Sequence, residues 1–360
     1  MDRKTFKKKT KGRKLKKRVI MILLPILLLA FSALGYSGYL YYKAKNAADG
    51  SYEALEGRAQ SGMRDEMVDP ATDNVSVLFL GIDESEKRSG SAGFEGGNTR
   101  SDAMILATLN NKDKSVKLLS IPRDTLTYIP EAGIEDKINH AHAYGGPNAS
   151  MNAVEELLDV PVDYYVRMNF YAFIDVVEAL DGVEVDVPFD MKEMDSEDSY
   201  NAIELKEGRQ VLNGEEALAF SRTRSYDSDI ARGGRQLEVM EAILDKSTSI
   251  GSINNYANVI EAIGDNMKTN MRFSEMKSFI AYAANSDLTV DMKTLQGDGV
   301  MYNGVYFYQP YEDDLERVKA ELREHLDMPL LASNHVNEED SSEFDHSDES
   351  SEDTSTDSNW

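Results

Sequence analysis

Apolar positions along the chain fall into three regimes. Val19 to Leu40 runs for 22 residues without a charge, long enough to cross a hydrocarbon core of about 30 Å as a helix. From Val75 to Leu331 apolar residues recur in short alternating runs and in helical spacings. Beyond Asn337 they all but vanish into Ser, Asp, Glu and Thr. These shifts divide the chain into a basic tail (1–18), a transmembrane helix (19–42), a polar stalk (43–74), one large domain (75–331) and an acidic tail (332–360).

Within the domain, Val75–Leu80 reads as a buried strand ending at Gly81-Ile82-Asp83. Glu84–Asn98 is rich in Gly and Ser and reads as a loop. Ala103–Leu109 and Val116–Ile121 form a hairpin across the turn-like Asn110–Lys114. Helical spacing marks Ser150–Leu158, Phe170–Leu180, Gly214–Ser221, Arg235–Lys246, Ile253–Met267, Ser274–Ala284 and Glu312–His325. Strand patterns intervene at Val162–Met168, Val183–Val187, Leu288–Leu295 and Val305–Tyr308. The stalk reads as partly helical around Tyr52–Met67. Strands and helices alternate rather than segregate, so the expected class is α/β: a central mixed β-sheet sandwiched by helices, after one N-terminal transmembrane helix.

Charge sharpens the topology. The first 18 residues hold eleven Lys and Arg against the single acid Asp2, within a chain of formal net charge −25. Alone, such a block invites a nucleic-acid reading. The apolar run that follows at once makes it a cytoplasmic flank instead, with the bulk of the chain outside the cell membrane. Tyr36, Tyr39, Tyr41 and Tyr42 cluster at the far end of the run, as an interfacial aromatic belt does. A cleaved signal peptide is the rival reading, but its apolar stretch is normally shorter and no small-x-small cleavage site is evident. The chain has no cysteine, so the domain depends on its own core. The acidic tail cannot bury enough apolar surface to order itself.

Arginines stand out against this acidic background. Arg100 lies in Thr99-Arg100-Ser101-Asp102, Arg123 in Ile121-Pro122-Arg123-Asp124, Arg222 and Arg224 in Ser221-Arg222-Thr223-Arg224, and Arg232 and Arg235 in Arg232-Gly233-Gly234-Arg235-Gln236. Most follow a strand or helix pattern and so sit at element ends. Guanidinium forks match phosphate oxygens, and Arg232 and Gln236 share a helix face. Gly233 and Gly234 permit close backbone approach. The bland alternative is a set of surface ion pairs, which does not explain the tight clustering. Asp83 and Asp102 flank the Gly-rich loop. Each alone reads as a cap or turn residue. Together, beside Arg100, they read as a carboxylate pair of the kind that holds Mg²⁺ with phosphate oxygens and water. Lys137 is a further phosphate donor or a solvated lysine. His140 and His142 lack the partners a zinc site needs. No Gly-x-Ser-x-Gly elbow and no phosphate-binding Gly-Lys-Ser/Thr loop is present.

In order along the chain, Leu80-Gly81-Ile82-Asp83, Arg100-Ser101-Asp102, Ser120-Ile121-Pro122-Arg123-Asp124, Lys137-Ile138-Asn139-His140, Val160-Pro161-Val162-Asp163-Tyr164-Tyr165-Val166, Asn213-Gly214-Glu215-Glu216-Ala217-Leu218, Arg222-Thr223-Arg224 and Arg232 through Gln236 resemble the LytR–CpsA–Psr family of bacterial cell-wall proteins. The resemblance implies a membrane-anchored extracytoplasmic phosphotransferase. Such enzymes move a glycopolymer, teichoic acid or capsular, from a polyprenyl-pyrophosphate carrier to peptidoglycan, with no nucleic-acid partner. It implies an apolar lipid tunnel inside the sandwich, Mg²⁺ on Asp83 and Asp102, and pyrophosphate contacts from Arg100, Arg123, Arg222, Arg224, Arg232 and Gln236, with Lys137 and Arg235 as weaker candidates. Asp83, Asp102 and Arg123 are the implied catalytic residues. The departures are a longer loop after Asp83, Thr99 before Arg100, and Ser228-Asp229-Ile230-Ala231 ahead of Arg232. Two alternatives share the site: a non-catalytic polyprenyl-phosphate-binding or regulatory protein, and a Mg-dependent polyprenyl pyrophosphatase that uses water as acceptor.

Overall fold

The computed structural model describes residues 35–82, 99–223, 229–249, 266–283 and 288–329. In chain order the elements are α1 (residues 35–51), β1 (Val75–Ile82), β2 (Ser101–Asn110), β3 (Ser115–Ser120), β4 (Leu126–Ile129), β5 (Ile134–Lys137), α2 (Ala141–Leu158), β6 (Tyr164–Asn169), α3 (Phe170–Ala179), β7 (Val183–Val187), β8 (Met191–Glu193), β9 (Ile203–Leu205), β10 (Gly208–Leu212), α4 (Gly214–Arg222), α5 (Asp229–Ser249), β11 (Met267–Thr269), α6 (Phe273–Ala283), β12 (Thr289–Thr294), β13 (Gly297–Tyr302), β14 (Val305–Pro310) and α7 (Glu312–His325).

Six strands form the central sheet in the order β11-β6-β1-β2-β3-β12. β1, β2 and β3 are antiparallel neighbours. β6 joins β1 and β12 joins β3 in parallel, so the sheet is mixed, as expected. Side chains alternate between its faces. Leu78, Leu80, Met104, Leu106, Leu119 and Tyr165 are buried with Ala149, Met151, Ala153 and Val154 of α2 and Val318 and Leu322 of α7. On the other face Ile105, Ala107, Val116 and Leu118 meet Leu237 and Met240 of α5 and Tyr282 of α6.

The register fixes what lies at each end of the sheet. Gly81 pairs with Ala103, Ile82 with Asn169, and Ile105 with Ser120. One end therefore gathers the start of β2, the finish of β1, β3 and β6, and the loop carrying Pro122 and Arg123. At the other end Tyr282 reaches Asn110 O at 2.8 Å and Ser115 O at 2.7 Å. Burial pushes the Tyr282 hydroxyl up to about 12, so it remains a donor.

Several boundaries differ from the sequence reading. α2 starts nine residues before Ser150 and is kinked at Gly145 and Gly146, where Gly146 takes a φ of 63°. α5 begins at Asp229 rather than Arg235. The segment after residue 51 is not helical; residues 35–51 are. Nor is the segment up to Asn74 a separate stalk. Arg58 pairs with Glu155 at 2.6 Å and Arg64 with Asp163 at 2.7 Å, both largely buried, and α1 buries Leu40, Ala44, Ala48 and Ser51 at helical spacing. No helix among the described residues is long and apolar enough to cross a membrane. The expected span 19–42 falls mostly outside those residues. So do the basic and acidic tails, the helix expected over most of Ile253–Met267, and the Glu84–Asn98 loop.

Candidate functional site

A cavity of about 780 Å³ lies between the sheet and the α3–α6 layer. Its floor is the second face of the sheet: Val77 and Phe79 of β1, Ile105, Ala107 and Leu109 of β2, Val116 and Leu118 of β3, and Val166 and Met168 of β6. Its roof includes one stripe of α5, namely Arg232, Gln236, Val239, Met240, Ile243 and Leu244. That three-and-four spacing places all six on one helix face. The stripe begins polar and turns apolar, so the helix lays charge at one end of the cavity and hydrocarbon along the rest. From Asp102 to Leu109 the floor extends roughly 23 Å at about 3.3 Å per residue.

The polar end is assembled from four elements. Arg123, beyond β3, donates to Asp102 Oδ1 at 2.6 Å, and its Nε lies 3.6 Å from Asp124 Oδ2. Arg222, the last residue of α4, stands 5.1 Å from the Phe170 ring centroid. It donates to Asp195 O at 3.3 Å and lies 3.5 Å from Asp198 Oδ1. Arg232 is 4% exposed and, with Gln236, lines the cavity from α5. A Cβ on Gly233 would sit 2.7 Å from Ser120 Oγ. The missing side chain lets α5 lie against the end of β3, which sets Arg232 and Gln236 opposite Asp102 and Arg123.

α4 is built to hold Arg222 in place. Asn213 and Glu216 form a capping box at its start. At its end Arg235 donates to Phe220 O at 3.0 Å and Thr223 O at 2.8 Å, and Gln236 Nε2 to Ser221 O at 3.4 Å. These donors satisfy carbonyls that the last turn leaves without helical partners. Thr223 in turn donates to Glu193, another cavity-lining residue.

The structure thus brings Asp102, Arg123, Arg222, Arg232 and Gln236 to one end of one cavity. Arg235 is 5% exposed, turned to the α4 carbonyls, and does not line the cavity. Lys137 pairs with Asp124 at 2.9 Å, one ion pair removed from Arg123. Arg100, immediately before β2, is exposed. Asp83 and Arg224 lie outside the described residues; the residue before Asp83, Ile82, pairs with Ser101. Among the described residues no three potential metal ligands cluster. His140 instead pairs with Asp136 at 2.8 Å. His142 is buried against Thr99 O at 2.7 Å, and burial pulls its imidazole down to about 4, so it is neutral. Phe170, Glu193, Asp195 and Asp198 escaped sequence reasoning. Asn169, which caps α3 by accepting from Ala172 N and lines the cavity, carried a legible signal: an N-cap residue between strand and helix.

The LytR_cpsA_psr family model matches residues 38–324. The chain is 40% identical over 324 residues to a polyisoprenyl-teichoic acid–peptidoglycan teichoic acid transferase, TagT, of Bacillus subtilis (strain 168), which covers 89% of this chain and 98% of that protein. A solved structure of TagT bound to LI-WTA matches with a TM-score of 0.64 at 39% identity, over 77% of this chain and all of that one. A structure of the same protein, there called YwtF, with bound octaprenyl pyrophosphate lipid matches with a TM-score of 0.60 at 37% identity over the same shares.

Proposed function

The chain belongs to the LytR_cpsA_psr family, and from that premise we infer that it transfers a polyisoprenyl-linked wall glycopolymer of the teichoic-acid type to peptidoglycan, as its TagT relative is named for doing. One observation carries the reading: a long apolar cavity whose end is lined by arginines. That shape suits an amphiphile with a greasy tail and a diphosphate head, the chemistry of the octaprenyl pyrophosphate bound in the YwtF structure.

The isoprenoid lies along the sheet, and the diphosphate sits among Arg123, Arg222, Arg232 and Gln236. In this reading Arg100, just before β2, and Arg224 are further donors to the diphosphate. Arg235 acts through Arg222, by holding the end of α4. Phosphoryl transfer needs in-line placement and charge neutralisation more than covalent help from the protein. The acceptor hydroxyl attacks the phosphorus that bears the polymer. The bond from that phosphorus to the bridging oxygen breaks, and polyprenyl phosphate leaves with the electron pair. Asp102 or Asp83 takes the hydroxyl proton. Arg123, bonded to Asp102 at 2.6 Å, orients that carboxylate.

Asp102 and Asp83 are also the residues proposed to hold Mg²⁺. The carboxylate oxygens fit this ion, which commonly takes one or two carboxylates and completes its shell with phosphate oxygens and water. When bound, Mg²⁺ neutralises charge on the phosphate oxygens. The basic block and the 22-residue apolar run support a single-pass anchor with the catalytic domain outside, which keeps it beside its lipid donor.

The test incubates the full chain in detergent with Mg²⁺, a polyprenyl-pyrophosphate-linked polymer and peptidoglycan. Polymer becomes covalently bound to the wall as polyprenyl phosphate is released. Arg222→Ala and Arg123→Ala each lower the rate by roughly 10²- to 10³-fold. Wild-type rates in both variants, or release of free polymer with none attached, overturn the transferase reading.

A further inference from the structure

One wall of the cavity belongs to α1 and α6. Ala48 and Ser51 of α1 line it, with Met276 and Phe279 of α6 and Met271 just ahead of that helix. The start of α6 has a defined place along the sheet. β11 runs antiparallel to β6 and away from the polar end, with Met267 opposite Met168 and Thr269 opposite Val166. Met271, beyond it, packs with Val75 and Tyr164, and Phe273 opens α6. Phe273 therefore belongs to the apolar end of the cavity, opposite the arginines.

α1 begins at that same end. The Tyr41 and Phe273 rings meet edge to face with centroids 5.4 Å apart. Lys277 Nζ lies 5.9 Å from the first centroid and 5.4 Å from the second. From there α1 runs toward the polar end: Lys268 donates to Gly50 O at 2.9 Å, and Tyr52 bridges Thr269. From Tyr41 to Ser51 it covers about 15 Å at 1.5 Å per residue.

The first six residues of α1 are also the last six of the charge-free run Val19–Leu40. Tyr36, Tyr39, Tyr41 and Tyr42 are each more than half exposed. At about 100° per residue they point to every side of the helix, near 0°, 300°, 140° and 240°. A helix lying flat on a membrane carries its apolar and aromatic groups on one face. Tyrosines on all sides mark the level at which a crossing helix leaves the bilayer. Cations gather there too. Lys45, Arg272 and Lys277 are exposed, and Lys43 Nζ lies 5.9 Å from the Tyr39 ring centroid, in a chain of net charge −25. The acid on the same turn, Glu275, accepts from the Arg272 backbone N–H.

We infer that the start of α6, with Arg272, Phe273 and Lys277, rests among anionic lipid headgroups beside the α1 tyrosines. The apolar end of the cavity then faces the bilayer and the arginine end faces away from it. The inference rests on the anchor reading above and adds to it a contact surface and an orientation. In that orientation a polyprenyl donor rises head first along its own axis. Its tail stays directed at the bilayer, and no inversion is needed.

The test reconstitutes the full chain into phosphatidylglycerol vesicles that carry a headgroup-level nitroxide quencher. Trp360 is the single tryptophan, so Trp360→Phe gives a dark background for two reporters. Phe273→Trp is quenched strongly. Tyr200→Trp, two residues from the Asp198 that lies beside Arg222, is not. In the same vesicles Phe273→Asp/Lys277→Glu lowers transfer from a membrane-embedded donor roughly tenfold or more. Octaprenyl pyrophosphate binding in detergent and the thermal transition stay unchanged. Should that variant unfold, Lys277→Glu alone gives the same sign with a smaller shift. An unquenched Phe273→Trp reporter, equal quenching of both reporters, or shielding of the first by self-association overturns the proposal while the chain stays in the vesicles. Release of the chain by a carbonate wash sinks the anchor reading and this one with it. Quenching as expected in a chain that transfers nothing would sink the transferase reading and leave the membrane contact standing.

Discussion

On one face of the central sheet, Leu78, Leu80, Met104, Leu106 and Leu119 are sealed against α2 and α7. On the other, one residue along each strand, Val77, Phe79, Ile105, Ala107, Val116 and Leu118 line about 780 Å³ of open space. The two sets are equally apolar and share the same strands. The difference lies in what covers them. α2 brings Ala149 and Ala153, both fully buried, and short side chains allow a close approach. The opposite layer is pinned at its two ends, by Gly233 against Ser120 and by Tyr282 against the β2–β3 turn. Larger side chains such as Met240, Leu244, Met276 and Phe279 line the interval. A face becomes a core or a binding tunnel according to how its cover is held, at no cost in strand pattern.

The sharpest way to break this comparison is to add the same bulk to each face. Ala107→Phe fills the cavity: binding of octaprenyl pyrophosphate falls roughly a hundredfold or more, and the urea midpoint barely moves. Ala153→Phe has no space to enter and destabilises the chain by about 1–3 kcal/mol or more, read by urea denaturation. Equal destabilisation by both would mean that the cavity face is packed as tightly as the core.

A second contrast uses two arginines from neighbouring motifs. Arg235→Ala removes buried donors from Phe220 O and Thr223 O and costs about 1–3 kcal/mol in urea denaturation. Arg222→Ala, on the cavity side, spares stability to within about 0.5 kcal/mol while the transfer rate falls.

The smallest effect is in pH. His142 and His325 are both pulled down to about 4 by burial, and His325 bridges Thr108 and Ser115 at 2.8 Å each. Between about 6.5, the ordinary histidine value, and about 4, the unfolded chain binds protons that the folded chain refuses. Stability therefore rises with pH across that window and is lost as pH falls through it. The urea midpoint drops from pH 7 to pH 4, and His325→Gln flattens part of that slope.

Much of the architecture was legible. β7 at Val183–Val187 and α7 at Glu312–His325 have the bounds that alternation and helical spacing indicated, because each pattern repeats several times. The short pairs β4–β5 and β8–β9 were not seen. Their strands run three or four residues, too short for a period to register. The segment 43–74 was misread for a different reason: its ties to the domain are ion pairs such as Arg58–Glu155, 97 residues apart, and a polar segment strapped down by charge has the composition of a free one.

The sequence alone determined the alternating faces, the arginine clusters and the motif order that identifies the family, since each is a property of nearest neighbours along the chain. Only the tertiary structure decided that Arg232 and Gln236 face a cavity while Arg235 closes a helix, that Lys137 is tied to Asp124, and that Phe273 packs against Tyr41. Side chains three residues apart on α5 point about 60° apart, and what each then meets depends on strands and helices distant in the chain, whose approach is set by contacts that no local pattern encodes.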